Sequence, residues 1–371
     1  MNRTARSLAV VAVVALALTA CGSKPKTSTQ SSHTPSPGGG GHSSSPPASN
    51  TSFKACMVSD TGGFSDKSFN QSSLQGVIDA THQYGISMAK IQSTSPSQYD
   101  SNINAMISAG CNIIITNGFD LGDATLKAAK ANPKLDFAIV DFSYSKPPSN
   151  LKGLVFNTAQ PAFIEGYLAA GMSKSGIVGT FGGQKLSTVT IYMDGFYDGV
   201  QYYNQQNSKN VQVIGWNEKT QNGTFTNDFS TKVKGQTTAQ NMIQQGADVI
   251  FPVAGADGLG ALQAAKDSGG KVTAIWVDTD GCVSAAEYCS VLLSSAEKGL
   301  AVSVQDAIKS ALDKKFSNAL FIGNLQNNGV GIAPYHDFDN KIPSALKSQL
   351  AKVKQDLISG KIKIASPSIP H

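Results

Sequence analysis

Three aspartates in this sequence share one setting: each stands directly after a short apolar run. Asp60 follows "ACMVS", Asp141 follows "FAIV", and Asp278 follows "AIWV" with Asp280 two residues on. Asn117, Asn157 and Asn217 close "IIIT", "LVF" and "VIGW" in or near the same position, and Phe64, Phe69, Phe119, Phe142 and Trp216 lie close by. Carboxylates and amides exchange hydrogen bonds with hydroxyl and amine groups, and aromatic rings stack on flat ones. Together they suit a small solute with one flat ring and several hydroxyls. The densest stretch is "VSDTGGFSDKSFNQS", residues 58–72. In it Asp60, Phe69 and Asn70 are placed to meet a ligand. Ser65 and Asp66 are placed to cap a helix by accepting its free amides, Lys67 reads as solvated, and the glycines let the loop turn closely.

Signatures of covalent chemistry are missing. The sequence has no G-x-S-x-G, no H-E-x-x-H and no complete G-x-x-x-x-G-K-[ST], and no nucleophile–base pair can be nominated. "GADGLGALQAA", from Gly255, lies between a strand pattern and a helix pattern without the spacing of a dinucleotide fingerprint, so it reads as a binding or packing loop. The histidines do not cluster with cysteines or carboxylates along the chain, and no metal or cofactor is expected. Arginine occurs only at Arg3 and Arg6. A phosphorylated ligand usually meets Arg or Lys at a helix N-terminus, so a crevice rich in carboxylates and without arginine favours a neutral or cationic solute. The net charge of +5 is spread without a basic stripe, which argues against nucleic acid.

The elements that must position these residues alternate. Strand-like runs ("KACMVS", "GISMAKI", "NIIITN", "DFAIVD", "GLVFN", "GIVGTF", "VQVIGW", "DVIFPV", "KVTAIWV") are short, rich in Val and Ile, and bounded by Gly, Asp or Asn. That is the pattern of buried parallel strands. Helical patterns separate them; "PSQYDSNINAMISAG" puts Tyr99, Ile103, Met106 and Ile107 on one face. A chain of 371 residues with so many strands predicts two doubly wound α/β lobes, with ligands beyond the carboxyl ends of the strands. The expected division is 52–157 plus 281–320 for the first lobe and 158–280 plus 321–371 for the second. The first crossover is expected near "LVFNTAQPAFIEGY".

Residues 1–20 combine Arg3 and Arg6 with an apolar stretch too short to span a bilayer, and "LTAC" follows. This resembles a lipoprotein signal that makes Cys21 the acylated first residue of the mature chain. Residues 21–51 are rich in Ser, Pro, Gly and Thr, which predicts a disordered tether holding the lobes outside a membrane. Cys56, Cys111, Cys282 and Cys289 remain. Four cysteines in an exported chain allow three pairings. Cys282 and Cys289 are close enough to close a local loop, and Cys56 and Cys111 each open an apolar run and suit a bridge between neighbouring strands.

"DTGGFSDKSFNQSSLQG" resembles the opening motif of the basic membrane protein family, the purine-nucleoside receptor lipoproteins of ABC transporters. Similar stretches follow in order: "GCNIIITNGFDLGDATLKAAKANPKLDFAIVD", "FIEGYLAAGMSKSGIVGTFGGQ", "YMDGFYDGVQYYN", "QQGADVIFPVAGADGLGALQAAKDSG", "AIWVDTDG" and "VLLSSAEKGL". The resemblance runs from about Lys54 to the end of the sequence. It implies a type I periplasmic-binding fold, two Rossmann-like lobes joined by hinge strands. It also implies a lipid-anchored receptor that passes a nucleoside to an ABC permease, and the chain is expected to act as a monomer. By position it assigns Asp60, Phe69 and Asn70 to the first ligand loop, with Phe69 stacking on the base. Asp141 becomes the base-recognising carboxylate, Trp216 the second stacking ring and Gly255 a close backbone approach. Asp278 accepts the ribose hydroxyls, and Lys298 reaches the ribose from the start of a helix. The long segment after Trp216 leaves Phe225 as an alternative ring. The cysteine loop in "DTDGCVSAAEYC" leaves Asp278 and Asp280 as alternatives. A receptor for another neutral solute such as a sugar, or a surface nucleoside hydrolase, are the competing readings.

Overall fold

The computed structural model describes residues 52–371; the signal, Cys21 and the tether lie outside the described residues. From Lys54, strand and helix patterns resolve into β1 (Lys54–Ser59), α1 (Phe69–Tyr84), β2 (Ser87–Gln92), α2 (Tyr99–Ser108), β3 (Ile113–Asn117), α3 (Gly122–Ala131), β4 (Asp136–Val140) and β5 (Leu151–Phe156). The inner strands are apolar on both faces because helices cover both; every residue of β3 is buried, whereas β2, at the edge, is partly exposed. The helices bury one stripe, as α2 does with Tyr99, Asn102, Ile103 and Met106. A disulfide joins Cys56 on β1 to Cys111 just ahead of β3.

The chain then crosses to the second lobe: α4 (Ala159–Met172), β6 (Ile177–Gly182), α5 (Ser187–Asn207), β7 (Gln212–Ile214), the hairpin β8 (Trp216–Asn217) and β9 (Asn222–Gly223), α6 (Lys232–Gln244), β10 (Val249–Val253), α7 (Gly258–Asp267), β11 (Thr273–Asp278), the short α8 (Gly281–Ser284) and β12 (Leu292–Lys298). It returns for α9 (Leu300–Leu312) and β13 (Phe321–Gly323), and crosses a third time to β14 (Val330–Ile332) and α10 (Ser344–Ile358). The first sheet has the order β13-β5-β4-β3-β1-β2 and the second β14-β12-β11-β10-β6-β7. All pairings in both are parallel except β12 with β14. Helix α4 is buried almost all round. Three glycines allow its close crossing with α5: a Cβ at Gly166, Gly195 or Gly199 would sit 2.0–2.3 Å from a backbone oxygen of the opposite helix.

Two expected boundaries move. Residues 281–298 belong to the second lobe, because β12 pairs in parallel with β11; the second crossover falls at Gly299. Residues 321–323 belong to the first lobe, because β13 pairs with β5. "VLLSSAEKGL", expected to start a helix, is mostly strand, and Lys298 is its last strand residue. Burial on both faces hides the alternation that would reveal such a strand.

Candidate functional site

At the carboxyl end of β1 the chain turns at Asp60. Its Oδ1 accepts hydrogen bonds from the Gly62 amide (2.9 Å) and from Asn70 Nδ2 (2.8 Å). Asn70 Oδ1 in turn accepts from Asn117 Nδ2 at the end of β3 (2.8 Å). Asp66 caps α1, accepting from the amides of Ser68, Asn70 and Gln71 at 2.8–3.0 Å. Ser65, the other expected cap, is exposed. These bonds hold Phe69 and Asn70 on the first turn of the helix. A side chain at Gly118 would press on Asp60, since its Cβ would lie 2.5 Å from Asp60 Oδ2.

Asp141 and Asp278 end their strands with φ of 65° and 71°, a left-handed conformation that aspartate tolerates better than most residues. Lys298 Nζ lies 2.6 Å from Asp141 Oδ2 and 3.4 Å from Asp278 Oδ1. Asp278 also accepts from Tyr192 Oη (2.9 Å) and Ser68 Oγ (2.6 Å). The ammonium sits 4.9 Å from the centre of the Phe69 ring. Lys298, Asp278 and Tyr192 come from the second lobe, Asp141, Ser68 and Phe69 from the first. The Trp276 indole adds another bond between lobes, donating to the Lys67 carbonyl at 3.1 Å.

These residues wall one cleft between the two lobes, beyond the carboxyl ends of the strands. Asp60, Phe69, Asn70, Asp141, Gly255, Asp278 and Lys298 all line it. Trp216 does not: it is 5% exposed and donates its indole N–H to Asp194 (3.0 Å). Phe225 does not either; its ring packs edge-on against Trp216 and next to Gly182. The ring that reaches the cleft from this segment is Phe229. The hairpin turns the chain back, Thr226 and Asn227 donate backbone bonds to Gly182 and Gly183, and Asp228 ties down the amides of Phe229 and Ser230. "NDFST" carries a signal of its own, an acid and an aromatic just ahead of a helix, as in "SDKSF". Tyr192 is a second residue that sequence reasoning missed; only the start of α5 beyond the end of β6 hinted at it.

Of the two alternatives, Asp278 lines the cleft, while Asp280 caps α8 through the Cys282 amide (2.9 Å). Its other oxygen lies 2.7 Å from His336 Nε2. A histidine therefore does meet a carboxylate and a cysteine, contrary to the reading along the chain, because the fold joins residues 56 positions apart. Cys282 is bonded to Cys289. Phe64, Asn157 and Asn217 lie outside the cleft lining.

Electrostatically the cleft is acidic, with Asp60, Asp66, Asp141 and Asp278 around Lys298. Burial pushes Asp60 up to about 7, although bonds from Asn70 and Gly62 oppose it. Burial likewise raises Asp66 to about 6. For Lys298 burial favours the neutral amine, but the charges of Asp141 and Asp278 outweigh it, and the group is held above the ordinary lysine range. Burial and the Asp278 charge push the Tyr192 hydroxyl well up, so it remains a donor. The arrangement can accept and donate hydrogen bonds around a solute and stack rings on it.

A profile described as "ABC transporter substrate-binding protein PnrA-like" matches residues 53–368. Among curated relatives, the ABC transporter nucleoside-binding protein BmpA of Lactococcus lactis is 31% identical over 338 residues, covering 85% of this chain and 90% of its own. Basic membrane protein A of Borreliella burgdorferi is 33% identical over 229 residues, covering 61% and 63%. A solved structure of an ABC transporter solute-binding protein from Aeropyrum pernix superimposes with a TM-score of 0.76, at 23% identity, over 85% of this chain and 94% of that one. That likeness supports the type I periplasmic-binding fold. With the profile covering nearly every described residue, this chain belongs to the basic membrane protein family, the PnrA-like substrate-binding proteins of ABC transporters.

Proposed function

We propose that the protein captures a nucleoside, a purine nucleoside by its family resemblance, between its lobes and presents it to an ABC permease.

 The reading rests on one observation: a cleft walled by Phe69 and Phe229, four carboxylates and one lysine, in a chain whose only arginines, Arg3 and Arg6, lie outside the described residues. Phe69 and Phe229 supply faces for a flat base. Asp60 and Asn70 offer an acceptor and an amide to its edge. Asp278, Lys298 and Tyr192 supply acceptor and donors for a sugar diol, and Asp141 holds Lys298 in place. The name of the Lactococcus relative agrees with this reading. Ligand bridging both lobes favours the closed form, in which Ser68 meets Asp278 and Lys67 meets Trp276, and the permease reads that form. Asp141, expected at the base, is assigned to the sugar side because it is bound to Lys298.

Acylated Cys21 would hold the receptor, as a monomer, on the outer face of the cell membrane. Among the described residues no helix is long and apolar enough to cross a membrane. Calorimetric titration and thermal shift against adenosine, guanosine, inosine, cytidine and uridine test the ligand, with a sugar panel beside them. Stabilisation by a nucleoside and none by sugars is expected; the reverse selects the sugar receptor. Release of free base during incubation would mark a hydrolase. A Cys21→Ala variant should leave the membrane fraction.

A further inference from the structure

A second space opens beside the cleft. It is partly open to solvent, roomier than the first, and shares Phe119, Asp141, Thr188 and Lys298 with it. One wall is the segment 367–371. This segment is led there along α5: the Ala365 amide donates to Asp198 (3.1 Å), Ser366 Oγ to Asp194 (2.6 Å), and Ser368 Oγ lies 3.1 Å from Thr190 Oγ1. Beyond them Ile369 and Pro370 face a chamber whose opposite lining includes Phe142 and Phe156 of the first lobe. Thr158, 1% exposed, also lines it, and its Oγ1 has no hydrogen-bond partner among the described residues.

We propose that this chamber is a subsite for a neutral, apolar substituent carried by the solute in the main cleft. The inference rests on the nucleoside reading. Adjacency is the first argument: four residues border both spaces, so a substituent on a solute in the main cleft has only this shared border to cross. Lining is the second: half of the bordering residues are apolar, among them Phe142, Phe156, Ile191, Ile369 and Pro370, and these reward burial of an alkyl or aryl group. Charge is the third. Lys298 is already matched by two carboxylates, and Asp141 stands at the shared mouth, so a phosphate would meet repulsion there. The unpartnered Thr158 hydroxyl can serve one polar atom within such a substituent.

Titration of the full chain tests this with adenosine, N6-benzyladenosine, 5′-benzylthio-5′-deoxyadenosine and adenosine 5′-phosphate. At least one benzyl derivative should bind within about tenfold of adenosine or tighter, and the one that does locates the attachment point. The phosphate should bind more than about tenfold weaker. Ile369→Trp, which narrows the chamber at its wall, should weaken the accepted derivative by about tenfold and leave adenosine unchanged. Removing residues 367–371 opens the wall without adding bulk and should also cost the derivative more than adenosine. Adenosine binding with both benzyl derivatives excluded overturns the subsite alone. Equal effects of Ile369→Trp on both ligands overturn it too. Binding by none of the four probes ends the subsite, and the nucleoside panel then decides separately whether the parent reading stands.

Discussion

The two lobes share one strand order but furnish the cleft in opposite ways. In the first, Asp60, Asn70 and Asn117 bond to one another, and Asp66 caps the helix that carries two cleft residues. That network needs nothing from the other lobe, whereas Asp141 of the same lobe pairs with Lys298 of the second. In the second, Asp278 takes a bond from Ser68, and Lys298 pairs with Asp141, both from the first lobe. That half has bonds of its own, from Tyr192 and Lys298 to Asp278, and the other two tie it to the first lobe. One network is thus self-contained, and the other spans the two lobes. A receptor that must signal occupancy gains from this division, because contacts within the site also hold the lobes together.

The strongest way to break the contrast is Lys298→Met. It leaves Asp141 and Asp278 buried near each other without a cation, and removing one partner of a buried pair costs about 3–5 kcal/mol. Chemical denaturation should show that loss, whereas Asn70→Ala, inside the self-contained network, should cost about 1–2 kcal/mol. Similar losses from both variants would remove the distinction between the lobes.

The disulfides offer a second comparison. Cys56–Cys111 closes a separation of 55 residues and Cys282–Cys289 one of 7. Loop-closure entropy then assigns about 4 kcal/mol to the first and about 2.5 kcal/mol to the second. Double Cys→Ala variants of each pair, melted side by side, should lose stability in that order.

The rings come next. Phe69→Ala and Phe229→Ala should each weaken nucleoside binding by about 1–3 kcal/mol, the usual worth of a ring stacked on a base. Trp216→Phe should lower the melting temperature through the lost bond to Asp194 and leave affinity unchanged. Lost affinity in Trp216→Phe alone would return that residue to the ligand.

The dependence on pH separates the lobes more finely. Asp60 is raised from 3.8 to about 7, so between those values the folded state binds more protons than the unfolded one. Its contribution is fully present below the unfolded value and is lost as pH rises through about 7. Asp60→Asn keeps the acceptor for Gly62 and Asn70 and should flatten the fall in stability between pH 6 and about 7. Asp66, raised to about 6, still acts lower down. The smallest effect is expected at Lys67, whose φ is 58°. Lys67→Gly relieves a left-handed conformation while keeping the carbonyl bonded to Trp276, and should change stability by about 1 kcal/mol or less.

Much of this molecule was legible along the chain because local rules govern it. Short Val- and Ile-rich runs became buried parallel strands, and their polar last residues faced the cleft, as at Asp60, Asp141 and Asp278. Asp66 was readable as a helix cap from its place ahead of "SFNQS". Tertiary structure alone decided the rest. Which lobe holds 281–298 depends on β12 finding β11, a pairing between segments that carry no mark of each other. Phe229 rather than Trp216 enters the cleft because a hairpin and backbone bonds to Gly182 and Gly183 turn the chain. Lys298 meets Asp141 across 157 residues of sequence, and His336 meets Asp280 across 56. Spacing and residue type are local properties and determine local conformation. The partners of a buried charge are chosen by packing, which brings together residues that the sequence holds far apart.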